Sequence, residues 1–279
     1  MIGLDPIYLE SIAKMALVED IGGGDITTML TVSESEECRA VISAKEKGII
    51  AGLDVANAVF DAMDGDVSFR ASLADGMRLS VGEEIALVVG LARNILTAER
   101  VALNFLQRMS GIATLTAKYV SLVSHTKARV VDTRKTTPGL RRLEKYSVVI
   151  GGGHNHRFGL SDGILIKDNH IAAAGGLTSA IKAAKQLAPH TLKIEVEVTS
   201  LDQLDEAINA GAEAVLLDNM SLEMMRQAVE LAGGRIQLEA SGGVNEDNIK
   251  DIAETGVDLI SIGALTHSAP ALDISMNFT

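Results

Sequence analysis

From Lys127 onward, short and nearly continuous apolar runs recur along the chain: ARVVDT, SVVIGGG, GILIKDN, LKIEVEV, EAVLLDN, RIQLEA and VDLISIG. Between most of them lie stretches with helical periodicity: TSAIKAAKQLA, LDQLDEAINAG, SLEMMRQAVELAG and NEDNIKDIAETG. Strands that are apolar on both faces and alternate with amphipathic helices predict a parallel sheet covered by helices. The link between the first two runs is shorter and carries PGLRRLEKY. Nearly every run finishes in polar or glycine residues: Asp132 to Lys135, Gly151 to Arg157, Lys167 to His170, Glu197, Asp218-Asn219, Ser241 to Gly243, and Gly263. An open doubly wound sheet gathers such residues at one crevice, whereas a closed barrel needs them on every strand end. The pattern predicts an α/β barrel, incomplete at roughly seven strands.

The first hundred residues lack this rhythm. CRAVISAKEKGIIAG reads as two strands with a turn near Lys47-Gly48, LDVANAVFDAM as a helix, and DVSFRAS and EEIALVVG as further strands. Together they predict a small α+β domain with a mostly antiparallel sheet. NILTAERVALNFLQRMSGIATLTAKYVSLVS is helical, with Gly111 as a possible break. The expected division is an N-terminal α/β sandwich domain over 1–110, the barrel over 111–265, and a segment over 266–279 returning to the first domain.

Composition changes the picture only at a few points. Aromatic residues make up 3% of the chain, so Leu, Ile, Val, Ala and Met must supply the core. Cys38 is the single cysteine, which excludes an internal disulfide framework, and we expect it to be buried and structural in a reducing, cytoplasmic setting. The amino terminus lacks the apolar run of a signal peptide, and nothing approaches the length of a membrane span. A net charge of -12 argues against non-specific nucleic-acid binding.

Against that acidic background one segment stands apart. Lys127 to Lys167 holds nine Lys and Arg but only three acids. Arg134, Lys135, His156, Arg157 and Lys167 fall at strand ends, where a barrel would aim them into one mouth. Arg142 and Lys145, on a short helix, are expected on a solvated basic face. Arginine forks suit carboxylates and lysines supply point charges, so the set suits a small, strongly anionic ligand. EASGGVNEDN and SIGALTHS place Gly242, Gly243 and Gly263 just after strands, where free backbone N–H groups can hold a phosphate. Glu197 and Asp218 close successive strands and could hold Mg²⁺ through waters, contact sugar hydroxyls or stabilise developing positive charge. Glu195 shares the parity of Glu197, so either could be the inward acid. No P-loop is present, and IGGGDIT follows no strand, which argues against a dinucleotide fingerprint. GHNH lacks the context of a zinc site. These residues suit a phosphorylated sugar beside a second anion, with group transfer at a sugar carbon or sugar-phosphate isomerisation both open.

The segment DTRKTTPGLRRLEKYSVVIGGGHNHRFGLSDGILIKDNH resembles the quinolinate phosphoribosyltransferase family almost without interruption. EDIGGGDITT, ERVALNFLQRMSGIAT, IEVEV, LLDNM, EASGGV and SIGALTHS follow in that family's order, so the similarity covers essentially the whole chain. It implies a sandwich domain with an incomplete barrel, and transfer of ribose 5-phosphate from phosphoribosyl pyrophosphate to quinolinate with Mg²⁺. The products would be nicotinate mononucleotide, pyrophosphate and CO₂, feeding NAD synthesis. The resemblance implies that Arg134, His156, Arg157 and Lys167 grip quinolinate's two carboxylates and that Lys135 contacts pyrophosphate or phosphate. It gives Glu197, in preference to Glu195, and Asp218 to the ribose and metal, and Ser241, Gly242, Gly243, Gly263 and His267 to the 5-phosphate. Arg100, on sequence a helix-surface residue, is similar to one that the family donates across a homodimer interface. A paralogous group linked to molybdenum transport is the nearest alternative, and a non-catalytic anion-binding module, an isomerase and an aldolase are others.

Overall fold

The computed structural model describes residues 3–63 and 67–279. Met1, Ile2 and Asp66, the first residue of the run DVSFRAS, lie outside the described residues. Twelve strands follow one another among the described residues: β1 Glu37–Ala44, β2 Gly48–Ile49, β3 Ser68–Ala71, β4 Arg78–Leu79, β5 Glu84–Leu91, β6 Arg129–Val131, β7 Ile164–Ile166, β8 Ile194–Val198, β9 Ala214–Asp218, β10 Gln237–Ser241, β11 Leu259–Ser261 and β12 Ile274–Phe278. The chain forms two compact units, Met1–Ala117 with Arg142–Gly152 and Ser268–Thr279, and Lys118–Arg141 with Gly153–His267. By compactness, the first unit runs on to Ala117 and also takes in a segment from the middle of the chain.

The first unit is built on an antiparallel sheet of order β12-β1-β5-β3, with β2 and β4 paired separately. Its core is largely aliphatic, with Ile42, Ile50, Ile85, Ile95, Leu103 and Leu106 packed together with the ring of Phe60. Cys38 is only half-buried at the margin of that core. The helix Ala92–Val123 runs unbroken through Gly111, which settles the open choice between one helix and two. That glycine allows a close approach instead: a Cβ there would run into the carbonyl oxygen of Pro270. The C-terminal strand β12 pairs with β1 from Ala40↔Phe278 to Ala44↔Ile274.

The second unit is the barrel-like sheet, six parallel strands in the order β6-β11-β10-β9-β8-β7. The expected seventh strand, SVVIGGG, is not a strand. Arg141–Ile150 is a helix, and only a single parallel bridge, Val131↔His154, continues the sheet past β6. The run is β-branched, yet Leu143, Ser147 and Val148 bury one helical face, and packing decides over local propensity. On this helix Lys145 is buried in the first unit, and Arg142 lays its guanidinium over the Tyr8 ring at 4.8 Å, so the expected solvated basic face does not form. The covering helices have ordinary stops and starts. Ser200 and Ser221 cap Leu201–Ala210 and Leu222–Ala232, and left-handed Gly211 and Gly233 end them.

Candidate active site

Register sets the inward face of the barrel sheet. Glu197, Leu216 and Glu239 share one row across β8, β9 and β10, and Asp218 pairs with Ser241 two residues further along. Side chains alternate along a strand, so Glu195 and Glu197 both point inward and the choice between them dissolves. Glu195 lies deeper and is buried, while Glu197 is ion-paired to Lys167.

The basic loops are held in place by a buried carboxylate that sequence reading passed over. Asp132, fully buried at the end of β6, accepts the backbone N–H of His156 at 2.8 Å and the Asn155 amide at 2.6 Å. Arg141 ties the same region together, donating to Thr136 Oγ1 at 2.8 Å and to the carbonyls of Phe158 at 3.2 Å and Arg134 at 3.3 Å. The Lys135 carbonyl accepts from Thr266 Oγ1 at 2.8 Å.

These loops and strand ends enclose a cavity of about 610 Å³. Ten of the expected residues line it: Arg134, Lys135, His156, Arg157, Lys167, Glu197, Asp218, Ser241, Gly242 and Gly243. Thr133, Leu165, Leu216, Asn219, Glu239 and Ser261 complete the wall. Burial, and then the neighbouring Arg134 charge, draw the Arg157 guanidinium below its usual range.

Two glycines shape the next part of the wall. Gly242 and Gly243 have φ of 95° and 61°, which side-chain-bearing residues rarely adopt. A Cβ on Gly242 would collide with the Asn219 amide, which itself sits at φ 52° and donates to Asp218 Oδ1 at 3.0 Å. Both glycines line the cavity just after a strand, where backbone without side chains lets an anion come close.

Gly263 and His267 do not line the cavity but stand beside it. A Cβ on Gly263 would approach Lys135 Cδ to 2.9 Å and the His267 ring to 3.3 Å. Arg100 is exposed on the helix Ala92–Val123 and belongs to the first unit, so it is not among the cavity residues.

His156 is oriented inward on both ring nitrogens. Its Nδ1 accepts the Arg157 N–H at 2.7 Å, which leaves the hydrogen on Nε2, directed to Glu195 Oε2 at 3.1 Å with Glu239 Oε2 at 3.7 Å. The donor atoms of His156, Glu195 and Glu239 lie within 4.8 Å of one another. The Nε2–H tautomer, however, turns a hydrogen rather than a lone pair to the carboxylates. Glu197 and Asp218 are the better cation candidates, since they offer only hard oxygen donors at the cavity wall, as Mg²⁺ prefers. The sequence signal for Glu195 and Glu239 was present as acids inside apolar strands, and for Asp132 as the first polar residue after one.

Among the described residues no helix is long and apolar enough to cross a membrane. The chain matches the family models described as quinolinate phosphoribosyl transferase, N-terminal domain, over residues 25–110 and C-terminal domain over 112–277. It is 45% identical over 276 residues to a probable carboxylating nicotinate-nucleotide pyrophosphorylase of Bacillus subtilis, covering 99% of this chain and 95% of the relative. A carboxylating nicotinate-nucleotide pyrophosphorylase of Mycobacterium leprae is 45% identical over 270 residues, 95% of each chain. Among solved structures, NadC from Streptococcus pyogenes superposes with a TM-score of 0.96 at 44% identity, covering 100% of this chain and 99% of that one. The nicotinate-nucleotide pyrophosphorylase from Francisella tularensis gives 0.95 at 42%, covering 99% and 98%.

Proposed function

Because the chain belongs to the quinolinate phosphoribosyltransferase family, we propose that its barrel mouth transfers 5-phosphoribosyl from phosphoribosyl pyrophosphate to quinolinate. Pyrophosphate and CO₂ leave, and nicotinate mononucleotide enters NAD biosynthesis. The observation that carries this reading is one cavity in which four formal cations, Arg134, Lys135, Arg157 and Lys167, share the wall with the Gly242-Gly243 turn and the acids Glu197 and Asp218.

Arg134, Arg157 and Lys167 take the two carboxylates of quinolinate, and their fixed charges offset the cost of desolvating the dianion. His156 was expected in that grip, but its ring nitrogens face Arg157 and Glu195, so its part is to form the wall and hold Arg157. Ser241, Gly242, Gly243, Gly263 and His267 receive the 5-phosphate, with Lys135 between it and the pyrophosphate. Glu197 and Asp218 face the ribose, where departure of pyrophosphate leaves positive character at the anomeric carbon that carboxylates stabilise. The same two acids would hold Mg²⁺, whose chemistry when bound is to neutralise pyrophosphate charge. The ring nitrogen then attacks the anomeric carbon, and the resulting pyridinium can accept the electron pair left by CO₂ without an organic cofactor.

We place the activity in the cytoplasm and in a homodimer with shared sites. Ile7, Met15, Val18, Ile26, Met29 and Leu30 are exposed on the two N-terminal helices, an apolar surface suited to a second copy that would also bring its Arg100 to the site.

The test is an assay with phosphoribosyl pyrophosphate, Mg²⁺ and quinolinate labelled in the ring, omitting each in turn. Stoichiometric nicotinate mononucleotide and CO₂ only in the full mixture is the expected outcome. Binding of both substrates without either product would refute transfer and leave the molybdenum-linked paralogue as the better account.

A further inference from the structure

Glu239 is not explained by the fold or by the contacts assigned above. It interrupts the apolar strand β10 between Leu238 and Ala240 and is 1% exposed, and neither of its side-chain oxygens has a hydrogen-bond partner. Yet it lines the 610 Å³ cavity, and with His156 and Arg157 it also lines a second cavity of about 200 Å³ in the same unit. A buried acid shared by two cavities connects them chemically.

Its protonation follows from its neighbours. The groups around it are Glu195 on β8, His156, Asp132 at the end of β6, and Ser261 on β11. His156 has Nδ1 occupied as an acceptor, and its Nε2–H is directed to Glu195. Neither Glu239 oxygen receives a hydrogen bond of good geometry, although the nearby Ser261 hydroxyl favours the charged form. An ionised Glu239 would be a buried charge without a hydrogen bond, which is far costlier than the neutral acid. Burial and the Glu195 charge together push this carboxyl up to about 7.

We propose that Glu239 is the acid that protonates the ring carbon from which CO₂ departs; this deepens, and rests on, the transferase reading above. Once the ring nitrogen carries ribose, the bond from the ring carbon to its carboxylate breaks and CO₂ leaves without the bonding pair. That pair stays on the carbon beside the cationic nitrogen. It takes the Glu239 proton, so that a C–H bond forms, the O–H bond breaks and Glu239 becomes a carboxylate. A proton from water then restores the acid through the smaller cavity, whose walls include the polar side chains of Asn155, Asp162 and Gln237. With no acid at hand the pair recaptures CO₂ and the step fails to commit. Lys167 and His156 are poorer donors, because the ammonium is paired with Glu197 and the imidazole N–H with Glu195.

The test is Glu239→Gln in single-turnover quench experiments, with quinolinate labelled in the 2-carboxyl and phosphoribosyl pyrophosphate, following pyrophosphate and CO₂ separately. The expected result is pyrophosphate release within about threefold of wild type, CO₂ release slower by ~100-fold or more, and accumulation of the ribosylated dicarboxylate. Equal slowing of both products, or no slowing of either, overturns the assignment. Absence of quinolinate-dependent pyrophosphate release in the wild-type enzyme would instead overturn the transferase reading itself. Should the variant fail to fold, the wild type decides. Its CO₂ step, measured on the isolated ribosylated dicarboxylate, should slow in D₂O and as pH rises through neutrality. A step insensitive to both refutes the role of Glu239.

Discussion

Asp132 offers the sharpest separation between holding a site and touching its ligand. Its carboxylate accepts the His156 N–H and the Asn155 amide, and its own backbone N–H donates to the His154 carbonyl at 3.1 Å. Asp132→Ala keeps the backbone bond and removes both side-chain ones. Hydrogen bonds to a charged acceptor contribute about 1.5–3 kcal/mol each. Asn155 is exposed and can turn to water, whereas the His156 N–H loses a buried acceptor, so the net loss should be about 3 kcal/mol. In a two-unit chain of this size that corresponds to a Tm lower by about 6–12 °C. The loop released carries His156 and Arg157, while Gly242 and Gly243 form the turn after β10. We therefore expect the KM for quinolinate to rise ~10–100-fold, each tenfold being about 1.4 kcal/mol, and that for phosphoribosyl pyrophosphate to stay within about threefold. Thermal melts and initial rates with each substrate varied in turn measure both. Asp132→Asn should fall between, since its oxygen still accepts one N–H. An unchanged Tm, or equal rises in the two KM values, would refute the argument that Asp132 acts by fixing the quinolinate side.

Three further outcomes are expected. Gly263→Ala should change stability by no more than ~0.5 kcal/mol, because the flexible Lys135 side chain yields first, but should raise the KM for phosphoribosyl pyrophosphate ~10-fold. A KM unmoved in steady-state assays would detach Lys135 from the phosphates. Arg100→Ala and Lys167→Ala proteins, each inactive alone, should regain part of the activity when unfolded and refolded together, if each site takes Arg100 from the other copy; no recovery in the mixed refold speaks against shared sites. Finally, the raised Glu239 carboxyl binds a proton more tightly in the folded than in the unfolded chain, so its contribution to stability is present below its ordinary 4.5 and is lost as pH rises to about 7. Urea melts of Glu239→Gln and wild type should therefore diverge across that window, the variant gaining by on the order of 3 kcal/mol at the upper end. Parallel stability curves would mean that Glu239 does not titrate in this range.

The strand ends were legible because continuous apolar runs leave only their last polar residues to face a cavity. That rule placed Arg134, Lys167, Asp218 and Ser241 correctly on the wall. It failed at SVVIGGG, where β-branched residues occur in a helix because Leu143 and Val148 find buried positions there. Gly111 stayed open in the sequence; there the missing side chain makes room for the Pro270 carbonyl and the helix runs on unbroken. Asp132, Glu195 and Glu239 were in plain view, but their significance is three-dimensional. Period-two alternation makes Glu195 and Glu239 inward, whereas only cross-strand register and the His156 ring bring them together. The role of Arg100 came only from family resemblance, since an exposed arginine on a long helix carries no signal of its own.

The chain passes between its two units four times, after Ala117, Arg141, Gly152 and His267. During synthesis this has a cost in time. The first unit emerges early, but its segment 142–152 follows later, and β12, the partner of β1, later still. At about 5–20 residues per second, the interval between residue 117 and the end of β12 at Phe278 is on the order of 8–30 s. Throughout it, β1 has β5 on one side and an open row of backbone donors and acceptors on the other. A nascent chain thus presents a templating edge until β12 is made, and loss of the residues of β12 would leave that edge open permanently.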